Sequence, residues 1–257
     1  MNKAFLLFVL SLTYLQPSLS QDTITYTVYF PNAVHHEAEI SLRLERVQSK
    51  ELTAIMSKSS PGRYAVHNFG KNIYNIKAYD DDNVSVSIQK IEPDVWSLAG
   101  INNTLNVSYT LYANHADGTY SGIDAEFANL NMPATLLWIK GMESLPIKVI
   151  FNLPDTSSWK IATQLTLLDS VKHIYSAPNL QYLMDSPCIL SEFTMKEFNV
   201  GLENKQHIRM AINSKASKND IEHFVDMTKT VLNEQKAIFG EFPTFMDSTY
   251  TFLCSYG

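Results

Sequence analysis

Cysteine is scarce in this chain: Cys188 and Cys254 are the only two in 257 residues. Two thiols make no disulfide scaffold, and they cannot form a structural zinc site, which wants four ligands. One disulfide between them is permitted. Two buried free thiols acting as small apolar side chains is the simpler expectation. Positive charge is not in excess either. The formal charge is -6 and the isoelectric point is near 5.6, which leaves no electrostatic footprint for nucleic acid or an anionic membrane. No run of apolar residues reaches the ~18 needed to span a bilayer. Internal repeats, low-complexity segments, Walker and dinucleotide fingerprints and Cys-x-x-Cys pairs are all missing.

What remains is the composition of an ordered globular protein, 45% hydrophobic and 18% charged, with ample material for a core. Residues 1–20 read as an export signal rather than as part of the fold. Met1-Asn-Lys3 is a short basic segment, Ala4–Leu12 is apolar, and Pro17-Ser-Leu-Ser20 supplies small residues for cleavage before Gln21. The apolar run is too short to cross a membrane and no Cys sits beside the cleavage point. The mature protein is therefore expected to be exported, periplasmic or extracellular, without a membrane anchor.

From Thr23 to about Leu183 the pattern predicts strand after strand. Thr23–Phe30 alternates with period two until Pro31-Asn32. In Glu37–Val47, Ala38, Ile40, Leu42 and Leu44 share one face. Further strands are expected at Tyr74–Tyr79, Val84–Ile91, Thr104–Tyr112, Thr135–Ile139, Ile147–Leu153 and Ile174–Ala177, separated by turn formers such as Asp80-Asp-Asp-Asn83. Many short strands at this spacing predict a mainly β fold, an antiparallel sandwich or saddle-like double sheet. Then the character changes. Asn219-Asp-Ile-Glu222 reads as an N-cap with Glu at N3. Ile221, Phe224, Val225, Val231, Leu232, Ile238 and Phe239 follow at helical spacing, with Gly240 as the stop. Thr249–Cys254 reads as a strand. The expected organisation is a β domain over residues 21–190 and the start of a second domain over residues 191–257.

Five blocks carry a resemblance. They are Ser60-Pro-Gly-Arg-Tyr64 with its continuation to Asn83; Asp94-Val-Trp-Ser97 with Asn106–Tyr112; Pro154–Leu165; Tyr182-Leu-Met-Asp-Ser-Pro187; and Glu234–Pro243 with Tyr250-Thr-Phe252. In this order they resemble the amino-terminal domain of the glycyl aminopeptidase family, zinc metallopeptidases with a thermolysin-like catalytic domain and a PDZ domain behind it. The resemblance implies zinc held by the two His of a His-Glu-x-x-His helix and a Glu farther along, with the motif Glu as general base. None of the seven His here, His35, His36, His67, His115, His173, His207 and His223, begins that motif. The expectation is an amino-terminal fragment, non-catalytic alone. Zinc and peptide substrate would belong to the full-length parent, and the catalytic portion is expected in cis. By the same resemblance, Tyr256 and Gly257 would lie on an edge strand along the substrate cleft.

Other residues invite chemistry and have plainer readings. On a strand His35 and His36 point to opposite faces and cannot chelate one ion together. Asp80-Asp-Asp-Asn83 lacks the Gly and distal Glu of an EF-hand and reads as a hairpin turn. In Gly118-Thr-Tyr-Ser-Gly122 the Ser is misplaced for a nucleophile elbow. Asp185-Ser-Pro187 reads as a turn, and Trp96, Trp138 and Trp159 as core or half-core. A reading of another class also remains open: a complete exported β-rich module that binds peptide, glycan or a partner protein.

Overall fold

Alternation of apolar and polar residues does build the sheets: the buried positions of β1 (Ile24–Asn32), and of β2 (Glu37–Val47) as far as Leu44, fall on every second residue. The computed structural model describes residues 22–115, 117–155, 157–201 and 205–256. The expected signal, residues 1–20, and Gly257 lie outside the described residues. Along the chain follow β3 (Glu51–Ile55), β4 (Ile73–Tyr79), β5 (Ser87–Glu92), β6 (Val95–Ala99), β7 (Asn103–Tyr112), β8 (Gly122–Ile123) and β9 (Phe127–Leu130). Next come a helical turn α1 (Met132–Thr135), β10 (Trp138–Ile139), β11 (Ile147–Asn152), β12 (Lys160–Thr163), β13 (Thr166–Asp169), β14 (Ile174–Ala177), α2 (Leu180–Met184) and β15 (Cys188–Ser191). The described chain closes with β16 (Thr194–Val200), β17 (Gln206–Asn213), α3 (Lys218–Phe239) and β18 (Thr249–Ser255).

The fold is mainly β. A seven-stranded sheet in the order β13-β14-β11-β1-β2-β7-β4 packs with two four-stranded sheets, β10-β3-β6-β5 and β12-β15-β9-β8. One apolar cluster joins all three, from Tyr26, Ile40 and Phe151 of the large sheet to Ala54, Trp96 and Leu98 of the second and Leu130, Cys188 and Leu190 of the third. Each large side chain so buried stabilises by about 1.5–3 kcal/mol. Pairing is antiparallel except for β1 with β11 and β17 with β18. The first parallel pair departs from the all-antiparallel expectation. More than a hundred residues intervene between those strands, enough chain for the crossover that parallel pairing requires.

Local expectations shift in three places. β1 runs through Pro31, which sits where the β1–β2 register slips between Tyr29 and Asn32. At such an irregularity a missing N–H removes no ladder bond. Thr135–Ile139 is not one strand: Met132–Thr135 turns helically with Pro133 in its first turn, the backbone is extended from Leu136, and only Trp138–Ile139 of this segment pairs as a strand. Leu136 and Leu137 are both buried, and a continuous apolar run does not tell strand from helix. The long helix starts at Ser217 rather than Asn219. Ser217 Oγ accepts the Asp220 N–H at 3.3 Å and donates to Asp220 Oδ2 at 2.6 Å. Ser is as good a cap as Asn, and starting at Ser217 puts Asp220 at N3, where its carboxylate accepts the Ser217 hydroxyl and lies in the first turn that the helix dipole favours.

β16, β17 and β18 form a separate three-stranded sheet with α3 on one face. Ile208, Met210 and Ile212 of β17 meet Ile221 and Val225 of α3, with Cys254 of β18 in the same cluster. On the opposite face Ala211 packs with Ala162 of β12, Ile189 of β15 and Phe193, and Leu253 packs against them. The seven apolar residues expected on α3 are not all covered. Ile221 and Val225 are buried, whereas Val231 is 54%, Ile238 77% and Phe239 78% exposed.

Candidate functional site

β18 sits at the edge of its sheet, paired to β17 in unbroken parallel register from His207–Thr249 to Asn213–Ser255. Beyond it the Tyr256 N–H donates to the Asn213 carbonyl at 3.0 Å, so the backbone stays extended past the assigned strand. The Tyr256 ring meets Phe224 edge-on at 5.6 Å and is half exposed. With Ile212, Ser214, Ala216, Asp220, Ile221 and Phe224 it lines an open, largely apolar depression of about 230 Å³. Asp220 is the one carboxylate lining it, and it is already engaged with Ser217.

Two side chains, one from the β domain and one from β17, fix where β18 lies. Gln164, just after β12, accepts the Thr251 N–H at 2.9 Å and donates to the Thr249 carbonyl at 2.7 Å, as a neighbouring strand would. Its own carbonyl accepts the Tyr182 hydroxyl at 3.0 Å. Arg209 of β17 donates to Thr251 Oγ1 at 2.8 Å and to the Thr163 carbonyl at 3.1 Å. Reading the sequence alone found neither residue. Gln164 is the unspecified position of the Ala-Thr-x-Leu block, and nothing local marks an amide that will bond across 87 residues.

The segment that carried the resemblance is pinned by a buried polar network. Asn131 donates through its amide to Ser60 Oγ at 2.7 Å and to the Thr119 carbonyl. Ser121 Oγ lies 2.7 Å from Thr135 Oγ1 and accepts the Asn131 N–H at 3.1 Å. Over this floor His67 stacks on Phe69 at 5.5 Å, and Tyr120 meets both rings. Farther in, the Gly70 N–H donates to buried Asp94 at 2.7 Å. A Cβ at Gly70 would stand 2.6 Å from that carboxylate and 2.7 Å from the Pro93 carbonyl, so only glycine fits the approach. The loop above the network presents Tyr64 and Val66 to solvent.

The tempting residues fall apart in space or into structural roles. His35 ends a short 3₁₀ turn and His36 follows at a positive φ, so neither lies on a strand; β2 begins at Glu37. His36 Nδ1 lies 2.6 Å from the Ile123 carbonyl. The Glu37 carboxylate takes bonds from Tyr74 and Asn32, which hold its pKa below the usual value. Asp80 accepts the N–H groups of Asp82 and Val84 in a turn after β4. Asp185 ends α2, and Ser186 bonds back to the Tyr182 carbonyl at 2.7 Å. Ser121 is buried in the network already described. Trp96 and Trp159 are buried and Trp138 is half-buried. Both cysteines are free and buried, and burial pushes the Cys188 thiol up to about 12 and the Cys254 thiol upward too. Among the described residues no group of three or more His, Cys, Asp or Glu is placed to hold a metal ion, and no helix is long and apolar enough to cross a membrane.

Comparison with known proteins places this architecture. An aminopeptidase N family protein from Idiomarina loihiensis superposes with a TM-score of 0.81 at 22% identity, over 90% of this chain and 39% of that one. Aminopeptidase A from Legionella pneumophila, solved with aspartic acid, gives 0.52 at 6% identity, over 91% of this chain and 28% of that one. The chain thus spans well under half the length of either structure. Among curated proteins no sequence matches. The family model described as the Peptidase M61 N-terminal domain matches residues 25–192, taking in β1 to β15 and both short helices. By that match the chain belongs to the M61 peptidase family and carries its N-terminal domain.

Proposed function

We propose that this chain is the amino-terminal part of an exported, glycyl-aminopeptidase-like zinc metallopeptidase. The family match over residues 25–192 is the observation that carries the reading. The β domain, residues 21–190, would wall one side of a peptide cleft, and residues 191–257 would open the catalytic domain. The sheet of β16 to β18 with α3 behind it supports that division, since it has its own apolar cluster. The edge of β18 and Tyr256, with Gly257 after it, would border the path of an extended peptide, which could pair with strand backbone.

Zinc would be held by residues other than those of this chain. The sequence has no His-Glu-x-x-His, and a catalytic zinc needs three protein ligands and an open position for water. When bound, the metal would acidify that water for attack on the amino-terminal peptide bond. The part played by the residues present is to position: Gln164 and Arg209 fix β18 against the β domain, and the Asn131 network holds the Ser60–Tyr64 loop. The 257-residue chain alone should therefore neither retain stoichiometric zinc nor release Gly from a Gly-anilide. A version extended in cis through a zinc motif should do both. Zinc-dependent hydrolysis by the 257-residue chain would refute the proposal.

A further inference from the structure

Tyr29 of β1, Tyr74 of β4 and Tyr112 of β7 are exposed on the side of the seven-stranded sheet turned away from the apolar cluster. Strand register sets them around two carboxylates. Tyr29, Glu39, Thr110 and Tyr74 form one row across β1, β2, β7 and β4, and Glu37 opposite Tyr112 begins the next. The Tyr74 hydroxyl donates to Glu37, two strands away, so its ring lies across β7 instead of standing up from the sheet. Thr110 beneath it is on the wet face and yet only 3% exposed. A ring laid flat turns its π face to solvent.

The donors to the two carboxylates are neutral. Glu37 accepts from Tyr74 and Asn32, and Glu39 accepts the Thr110 hydroxyl at 2.8 Å. Among the described residues no Lys or Arg forms an ion pair with either. Lys77, on the same face of β4, stands opposite Ser108. The Tyr74 and Asn32 bonds hold the Glu37 carboxyl below its usual value, so it is charged at neutral pH. Each carboxylate has about four acceptor positions and so has room for a further donor.

We propose that this face docks a basic, arginine-bearing peptide segment of a partner protein. Charge complementarity selects the sign of the partner, because carboxylates and aromatic faces both attract a cation. The flat ring selects the group. A guanidinium is planar, so it can stack on Tyr74 while its N–H fork reaches a carboxylate at the rim of the ring. Glu37 and Glu39 stand ~7 Å apart at alternate positions of β2, which matches basic side chains at alternate positions of an extended segment. Residues 191–257 do not compete for the face. They meet the large sheet at β13, where Thr166 donates to Asp247, and β4 is the opposite edge strand, roughly 30 Å away. Their other apolar contacts are with β12 and β15, whose sheet packs on the inner side. The proposal rests on the β domain and does not depend on the function proposed above.

A labelled peptide of alternating Arg and Ser, titrated with the chain from Gln21 onward in about 50 mM salt, should bind saturably by fluorescence anisotropy. At about 500 mM salt the affinity should fall roughly tenfold. Glu37→Gln combined with Glu39→Gln keeps an acceptor for Tyr74 and for Thr110 but removes both charges, and should weaken binding about tenfold. Tyr74→Leu should weaken it about two- to fivefold. Where that variant loses its native circular dichroism, the double Gln variant carries the test. Asp82→Asn, which removes one exposed charge in the turn after β4, should leave the affinity within about twofold. The amide resonances of Glu39, Tyr74 and Tyr112 should move during the titration. Absence of saturable binding at low salt overturns the proposal. So does binding that the double Gln variant leaves intact, or that Asp82→Asn weakens as much, which marks attraction to the acidic chain as a whole. Salt-insensitive binding of a neutral oligosaccharide at the same tyrosines overturns it in favour of a glycan platform.

Discussion

Replacing Asn131 by Ala tests the account of the Ser60–Tyr64 loop. Asn131 lies in the loop between β9 and α1, is 9% exposed, and gives its amide protons to Ser60 Oγ and the Thr119 carbonyl. Truncation removes both donors and leaves Ser60, itself 8% exposed, and the Thr119 carbonyl without those partners. A buried polar group so stranded costs about 1–3 kcal/mol, so the pair should cost about 2–5 kcal/mol after partial relaxation. In a chain of this size that corresponds to a fall of about 5–15 °C in melting temperature. Asn131→Asp should be at least as damaging, since a carboxylate would face the Thr119 carbonyl with no proton to offer. Urea unfolding gives the free energy, and hydrogen exchange gives its location. The amides of His67 and Asn68, bonded to the Lys58 carbonyl, should lose protection before those of β1 or β7. A loss under about 0.5 kcal/mol, the size of an ordinary surface substitution, would refute the idea that this amide fastens the loop.

Two further predictions follow from ionisation. Glu37 is held below its ordinary value of 4.5 chiefly by the Tyr74 hydroxyl and then by Asn32, and Asp81 below 3.8 chiefly by Arg43. Groups with depressed folded values stabilise fully above the unfolded values and lose that contribution as pH falls through the folded ones. Melting temperature should therefore drop as pH is lowered below about 4.5, and Tyr74→Phe should flatten the Glu37 part of that drop; an unchanged acid limb would contradict the assignment. Separately, both thiols are buried and shifted upward, so neither should react with iodoacetamide at pH 8 until the chain is unfolded. Fast labelling of Cys188 in the native state would contradict its burial at the joint of the three β sheets.

How far the sequence speaks can be judged strand by strand. Glu37–Val47 was legible because one of its faces is buried and the other wet, so its residues alternate. β3, β8, β9, β12, β13, β15, β16 and β17 were not picked out as strands. Cys188–Ser191 of β15 is buried on both faces, which erases the alternation a sequence reader relies on. The helix 218–239 announced itself by spacing and by Gly240, though which serine or asparagine capped it depended on competition between neighbours. The candidate site was the least legible part. Tyr256 could be named only through a resemblance, and Gln164 and Arg209 could not be named at all.

Composition, periodicity and five short blocks in order were enough, by themselves, to determine a mainly β chain of an aminopeptidase-like family, without a His-Glu-x-x-His of its own. These properties are written in local patterns: residue type, period two or 3.6, and fixed spacing along the chain. Only the tertiary structure decided that β1 runs parallel to β11, that Asn131 fastens Ser60, and that the Gln164 side chain bonds the backbone of β18. Each of these joins groups tens to more than a hundred residues apart. Such pairings are fixed by chain reversal and core packing, and no local pattern encodes them.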